Sequence, residues 1–173
     1  MLKKKICMLG YYAVGKTSLV SQFVNHLFAD KYQTTVGVKI DKKVVLVEGQ
    51  EVTLNLWDVA GEEDNAPVKL NHVRGATGYL LVLDGHRRKT LDAALSIQER
   101  VQSELGPCPF LLLANKADER ATWEVNDADL AELAARKWTV LETSAKTGDN
   151  VEKAFLTLAA EMLKAQSDGE DDE

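Results

Sequence analysis

The feature that most constrains the fold is the alternation of short apolar runs with longer amphipathic segments. The runs cover residues 6–9, 44–47, 52–56, 79–83, 110–113 and 140–141. Residues 52–56 alternate with period two, and Glu48-Gly49-Gln50 before them predicts a hairpin turn. This order predicts an α/β fold with a mostly parallel six-stranded sheet, one antiparallel edge strand and helices on both faces.

Apolar stripes at helical spacing fall between these runs. One stripe comprises Val20, Phe23, Val24 and Leu27, and others lie within residues 91–105, 126–133 and 151–162. In folds of this class, ligands bind outside the carboxyl ends of the parallel strands. Residues that directly follow the apolar runs are therefore the candidates for a binding site.

Length and charge favour one globular domain. The 173 residues suffice for a single core, predicted over residues 1–165, and the acidic residues 166–173 are predicted to be a disordered tail. A net charge of -6 argues against a nucleic-acid partner. Cys7 and Cys108 are expected to be buried free thiols in a reducing compartment. The chain shows no lipidation motif, so we expect a cytoplasmic protein without a direct membrane anchor.

The strongest motif directly follows the first apolar run and opens the first helical stripe. It reads Gly10-Tyr11-Tyr12-Ala13-Val14-Gly15-Lys16-Thr17 and fits the phosphate-binding loop pattern. Glycines let successive backbone N–H groups curl around phosphate oxygens, and the helix adds its positive end. Lys16 can then reach the β- and γ-phosphates, and the Thr17 hydroxyl can ligate Mg²⁺.

Two later segments address the choice of base. Asn115-Lys116-Ala117-Asp118 follows the run 110–113, and the carboxylate of Asp118 can accept two hydrogen bonds from guanine. Thr143-Ser144-Ala145-Lys146 follows the run 140–141, and its backbone N–H groups can meet the guanine O6. Either segment alone is also an ordinary turn, so the prediction of guanine rests on finding both.

A third segment addresses the terminal phosphate and the metal. Asp58-Val59-Ala60-Gly61 ends the alternating strand. Asp58 can hold a water molecule on Mg²⁺, and the N–H of Gly61 can approach the γ-phosphate because glycine has no side chain. The four segments follow four different predicted strands, and each supplies a different part of one ligand.

In these motifs, their order and their spacing, residues 3–165 resemble the Ras superfamily of small GTPases. Thr34-Thr35-Val36-Gly37-Val38 and Trp57-Asp58 are most similar to the Rab branch. The acidic, cysteine-free end looks more like the soluble Ras-like GTPases of prokaryotes. The resemblance implies a P-loop G domain that binds GTP or GDP with Mg²⁺ and acts as a regulatory switch.

The resemblance also implies roles that spacing alone does not give. Thr35 would add a second hydroxyl to Mg²⁺ and meet the γ-phosphate through its N–H. Residues 30–38 and 60–74 would be switch segments that bind effectors, exchange factors or GTPase-activating proteins. Phe28 would lie edge-on to the base, although it also fits a core aromatic residue. The implied nucleotide-binding set is Tyr12, Ala13, Val14, Gly15, Lys16, Thr17, Ser18, Phe28, Thr35, Gly61, Asn115, Lys116, Asp118, Ser144, Ala145 and Lys146.

Two positions depart from the family pattern and concern catalysis, for which Lys16, Thr35, Gly61 and Glu62 are the candidates. The family places glutamine where this chain has Glu62, and an ionised carboxylate can only accept hydrogen bonds. Tyr12 stands where most Ras and Rab proteins have a small residue, and its ring would hinder an arginine supplied by another protein. Tyr32 and Gln33 precede Thr34-Thr35, so no arginine of the chain's own is expected there.

These departures predict slow GTP hydrolysis and leave alternatives open. The chain can be a regulatory GTPase, or a nucleotide-bound interaction module with little or no turnover. A third possibility is an ATP-dependent small-molecule kinase with a P-loop. That reading requires a substrate lid and basic phosphate-binding residues, which the sequence does not display, and it leaves Asp118 and Ser144 unexplained.

Overall fold

The computed structural model describes residues 2–29 and 34–170. The elements in chain order are β1 (Leu2–Gly10), α1 (Lys16–Asn25), β2 (Val38–Val47), β3 (Gln50–Val59), β4 (Gly78–Asp84), α2 (Arg88–Leu105), β5 (Phe110–Asn115), α3 (Asp127–Ala135), β6 (Val140–Thr143) and α4 (Val151–Glu170). Two short 3₁₀ helices cover Leu70–His72 and Ala117–Thr122.

The strands form one six-stranded sheet in the order β2-β3-β1-β4-β5-β6. All neighbours are parallel except β2 and β3, which pair antiparallel as a hairpin. Glu48 and Gly49 make the hairpin turn with φ angles of 51° and 79°. The predicted fold class, with its single antiparallel edge strand, is confirmed.

Helices cover both faces of the sheet, as predicted, and create two cores. Alternate residues of β1 enter opposite cores, with Ile6 and Met8 on one face and Cys7 and Leu9 on the other. The first core contains α1 and α4, whose Phe23 and Phe155 rings stack with centroids 4.1 Å apart. The second core contains α2 and α3.

The prediction that Leu27 continues the apolar stripe of α1 is wrong. The helix ends at Asn25 because His26 adopts the left-handed conformation with a φ of 55°. The N–H of His26 then donates to the carbonyl of Gln22, which closes the last turn. Leu27 lies beyond the helix and is 63% exposed.

The C-terminal helix continues beyond residue 165, where the sequence placed the end of the domain. α4 reaches Glu170, so residues 166–170 of the predicted tail are helical. Gln166 accepts a hydrogen bond from the Lys4 ammonium group and donates one to Glu170 at 3.3 Å. Residues 171–173 of the expected tail lie outside the described residues.

Both cysteines are free thiols. Cys7 is fully buried and Cys108 is half-buried. Burial raises the pKa of Cys7 to about 12 and that of Cys108 to about 11. Because the reactive form is the thiolate, both side chains act as small apolar groups at neutral pH.

Candidate nucleotide-binding site

A cavity of about 680 Å³ opens where β1, β3, β5 and β6 end. This is the edge of the sheet at which the sequence predicted a ligand. The structure brings almost the whole predicted binding set to this cavity. The predicted residues that line it are Tyr12, Ala13, Val14, Gly15, Lys16, Thr17, Ser18, Phe28, Thr35, Gly61, Asn115, Lys116, Asp118, Ala145 and Lys146.

The loop between β1 and α1 is held in a curled conformation. Ala13 and Gly15 both have positive φ angles, of 61° and 101°. Gly15 precedes α1 and has no side chain to cap the first N–H groups of the helix. A Cβ atom at Gly15 would lie 2.3 Å from Asn115 Nδ2, so the contact requires glycine. The uncapped helix start suits an anion.

Lys16 carries a buried positive charge into this loop. It is 6% exposed, and its Nζ donates to the carbonyl oxygen of Tyr11 at 3.3 Å. Burial lowers its pKa to about 8, and the nearby Asp58 opposes that shift. No carboxylate in the described part of the chain lies within salt-bridge distance of Lys16. A bound phosphate would therefore supply the missing counter-charge.

Three oxygen-bearing side chains meet beside Lys16. Thr17 Oγ1 donates to Asp58 Oδ2 at 2.5 Å and lies 2.7 Å from Thr35 Oγ1. Asp58 is 1% exposed, and its Oδ1 has no hydrogen-bond partner among the described residues. Hydroxyl and carboxylate oxygens are the ligands that Mg²⁺ prefers, directly or through water. The group therefore fits the predicted Mg²⁺ site, which would use the unpaired carboxylate oxygen.

The opposite end of the cavity contains the two segments predicted to bind the base. Ser144 is fully buried, and its hydroxyl donates to Asp118 Oδ1 at 2.7 Å. Thr143 donates to Asn115 Oδ1 at 3.1 Å, and the Asn115 amide donates to the carbonyl of Val14 at 3.0 Å. Ser144 does not line the cavity itself but orients the carboxylate of Asp118, which does.

Phe28 and Lys146 complete the base end. Phe28 is 39% exposed and lines the cavity, so it is not the core aromatic residue that its position after α1 also allowed. Gln22 donates to the carbonyl of Ala145 at 2.8 Å, which fixes the backbone beside Lys146. Both Phe28 and Lys146 can contact a planar ring that enters the cavity from solvent.

The side chain of Glu62 points away from the cavity. Its carboxylate forms an ion pair with Arg100 of α2 and accepts a hydrogen bond from the N–H of Val68 at 3.3 Å. Its backbone pairs with the phosphate loop, since Tyr12 N–H donates to Glu62 O and Glu62 N–H donates to Gly10 O, both at 2.9 Å. Of the four candidate catalytic residues, Lys16, Thr35 and Gly61 face the cavity and Glu62 does not.

Residues that hold the loops from behind were not predicted from the sequence. Arg87 donates to the carbonyl of Tyr12 at 2.8 Å, and Arg100 holds Glu62. Trp123 donates its ring N–H to the carbonyl of Lys116 at 3.0 Å and packs against Gly85 so closely that no Cβ would fit. One signal was available for Arg87. The run 87–89 is basic at a helix start, where acidic residues are favoured.

Comparison with known proteins agrees with this geometry. A family model described as the Ras family matches residues 5–164. The chain is 37% identical over 173 residues to the Ras-related protein Ral-B of Mus musculus, an alignment that covers 96% of this chain and 83% of that protein. It is 35% identical over 181 residues to the Ras-related protein Rab7 of Pisum sativum, covering 98% of this chain and 85% of that protein.

The fold and cavity define a P-loop protein of the small-GTPase class. Given the family match and these relatives, the chain belongs to the Ras family, whose members are GTP-binding switch proteins that hydrolyse GTP and bind regulators or effectors. Within the described residues, no helix combines the length and the apolar character needed to cross a bilayer.

Proposed function

We propose that this protein is a GTP/GDP switch that binds guanine nucleotide with Mg²⁺ in the cytoplasm and hydrolyses GTP slowly. The main observation in support of slow hydrolysis is the ion pair between Glu62 and Arg100, which keeps the Glu62 carboxylate out of the cavity. The residue at this position orients the attacking water in GTPases of this class. A side chain held on α2 cannot perform that task.

Guanine is the base that the cavity fits best. Asp118 and Ser144 are hydrogen-bonded to each other at the end opposite Lys16. A carboxylate there accepts from the N1–H and N2–H₂ groups of guanine, and adenine lacks this pair of donors. Lys116 and Lys146 can lay their aliphatic stems along the two faces of the ring.

Mg²⁺ would be held by the hydroxyls of Thr17 and Thr35 and, through water, by Asp58. When bound, the ion neutralises charge that develops on the phosphate oxygens. Thr17 is fixed at the first turn of α1, whereas Thr35 lies in a segment without regular structure. The contact between their hydroxyls therefore links a helix to a segment without regular secondary structure.

Partners are expected to bind the two segments that the nucleotide orders. The described parts are residues 34–38 and 60–74, while residues 30–33 of the predicted first switch lie outside the described residues. Val36 is 87% exposed, which is unusual for a large apolar side chain. Effectors, exchange factors or GTPase-activating proteins would contact this surface.

Single-turnover cleavage of GTP tests the slow hydrolysis. Glu62→Gln removes the charge that Arg100 holds and supplies an amide that can both donate and accept. We expect the variant to cleave GTP about tenfold faster or more. Glu99→Gln is the matched control because Glu99 is an exposed carboxylate on the same helix as Arg100. A wild-type protein as fast as Glu62→Gln would overturn the proposal.

The same ion pair also supports the second candidate, a nucleotide-bound interaction module with little or no turnover. Acid release of the nucleotide from purified protein, followed by chromatography, separates the candidates. GDP supports a working switch, and GTP supports the module. An adenine nucleotide would support the ATP-dependent kinase and reject the assignment of Asp118.

A further inference from the structure

Arg87 reaches the back of the phosphate loop from the start of α2. Its Nη2 donates to the carbonyl oxygen of Tyr12 at 2.8 Å, and its Nε donates to Asp84 Oδ2 at 3.1 Å. Asp84 is 2% exposed and also accepts from Lys116 Nζ at 2.8 Å. Burial raises the pKa of Asp84, but these hydrogen bonds bring it below its ordinary value. Asp84 is thus a fixed negative charge that orients both cations.

Three successive carbonyls of the loop are held on this same side. Besides Arg87 on Tyr12, Lys116 Nζ lies 3.5 Å from the Ala13 carbonyl oxygen, and Asn115 Nδ2 donates to the Val14 carbonyl at 3.0 Å. In a trans peptide, the C=O and the following N–H point in opposite directions. Fixing these carbonyls from behind therefore turns the N–H groups of the next residues toward the cavity that they line.

The carbonyl that accepts from Arg87 belongs to the Tyr12–Ala13 peptide. This peptide lies at the end of the cavity that Gly61 lines. A Cβ on Gly61 would be 2.8 Å from Tyr12 Cα and 3.0 Å from Lys16 Nζ, so Gly61, Tyr12 and the buried ammonium group meet there. In the sheet, β3, which leads to Gly61, is separated by β1 and β4 from β5, which leads to Asp118. A nucleotide whose base lies on Asp118 brings its terminal phosphate to this end.

We infer that Arg87 is a positioning residue that holds the Tyr12–Ala13 peptide so that the Ala13 N–H binds the terminal phosphate of GTP. The inference rests on the proposed function. Arg87 would also polarise the peptide, since a charged donor on a carbonyl strengthens the hydrogen bond that the adjoining N–H makes. No arginine precedes Thr35, but Arg87 brings a guanidinium group to the phosphate loop from a different element.

A further observation agrees with this role. The two-armed contact requires arginine, since a planar guanidinium can bond Asp84 and the Tyr12 carbonyl together, whereas lysine presents a single point charge. A purely structural role in anchoring α2 would change stability without changing the preference between nucleotides.

The experiment compares nucleotide affinities of three variants of the full chain in Mg²⁺. For Arg87→Gln we expect an about tenfold weaker affinity for a hydrolysis-resistant GTP analogue, and a change of less than about threefold for GDP. Arg87→Lys should fall between Arg87→Gln and wild type. Arg88→Gln is the matched control because Arg88 pairs with Asp129 on the outer surface, and its affinities should stay within about twofold of wild type.

Each result bears on the inference. Unchanged affinities in a folded Arg87→Gln protein would overturn it, as would equal losses for the analogue and GDP. If Arg87→Gln does not fold, Arg87→Lys decides, because it keeps the charge and loses the two-armed geometry. If wild type binds neither nucleotide, the proposed function itself fails; if wild type binds both and the Arg87 variants match it, only the role of Arg87 fails.

Discussion

The two ends of the cavity are constructed differently. At the base end, Asn115, Thr143 and Ser144 are all at least 98% buried, and they hydrogen-bond to one another or to Asp118. These residues end or follow the adjacent strands β5 and β6, so the sheet itself fixes their positions. A ligand at this end meets groups that are already oriented.

At the phosphate end, Asp58 of β3 accepts a hydrogen bond from Thr17 of α1, but several other contacts join segments that lie outside the strands. Ala60 N–H donates to the Gly37 carbonyl at 2.8 Å, and Asp64 bonds Tyr11 and Lys89 at the surface. The exposed ion pair between Asp64 and Lys89 is screened by solvent and contributes little. Contacts of this strength hold the segments in one arrangement but yield to a ligand that offers stronger contacts.

The difference in construction suggests different tasks for the two ends, recognition of the base at one and a response to the phosphates at the other. In the proposed function, a fully hydrogen-bonded end would select the base without moving, and a weakly held end would change when the number of phosphates changes. Mutations at the two ends should therefore have different consequences. Mutations at the base end should lower the affinity for GDP and GTP alike. Mutations at the phosphate end should change the ratio between the two affinities.

The largest expected effect is at the base end. Asp118→Asn replaces the acceptor pair, so we expect affinity for GDP to fall by about a hundredfold or more and preference to shift toward xanthine nucleotides. Competition binding with both bases measures the shift. Asp127→Asn is the control, since Asp127 is an exposed aspartate paired with Arg120. A retained preference for guanine would reject the assignment of Asp118.

Paired glycine substitutions compare the side of the phosphate loop that contacts Asn115 of the base end with the side that contacts Gly61. Gly15→Ala strains a residue with a φ of 101° and places Cβ 2.3 Å from Asn115 Nδ2, at a cost of about 1–3 kcal/mol. This variant should lose affinity for GDP and GTP equally. Gly61→Ala places Cβ 2.8 Å from Tyr12 Cα, and its affinity for GDP should stay within about threefold of wild type. Limited proteolysis should show that this second variant loses protection by GTP. An equal loss of affinity for GDP in both variants would contradict the comparison.

The smallest effect concerns the ion pair that holds Glu62. Arg100→Gln should lower the free energy of unfolding by about 1 kcal/mol or less because the arginine is partly exposed. Hydrogen exchange at the Val68 amide should nevertheless accelerate, since that N–H donates to Glu62. Arg74→Gln removes a comparable surface pair with Glu104 and serves as control. Unchanged exchange at Val68 would show that Arg100 does not hold the segment.

Residues that lie at or just beyond the end of their own strand were predictable from sequence. The loop 10–17 and Asp58 follow apolar runs, and parallel strands bring such residues to one edge. The sequence also predicted the hairpin from Glu48-Gly49-Gln50. In both cases, the information lies within a few neighbouring residues.

Contacts between distant side chains were not predictable in this way. Nothing in the spacing pairs Glu62 with Arg100, or Arg87 with Tyr12, because α2 reaches the loops only after the sheet has formed. The end of α1 was missed for a local reason, since His26 is not a glycine and yet adopts a left-handed φ. The extension of α4 to Glu170 was missed because acidic composition was taken as a sign of disorder.

The hairpin at Glu48 and Gly49 lies at the end of β3 opposite Asp58, about 30 Å from the cavity along the strand. Because the turn is exposed and contributes no residue to the pocket, it is a suitable point for inserting a fluorophore or an affinity tag. A label there would report rotation of the whole domain while leaving the residues that line the cavity unchanged.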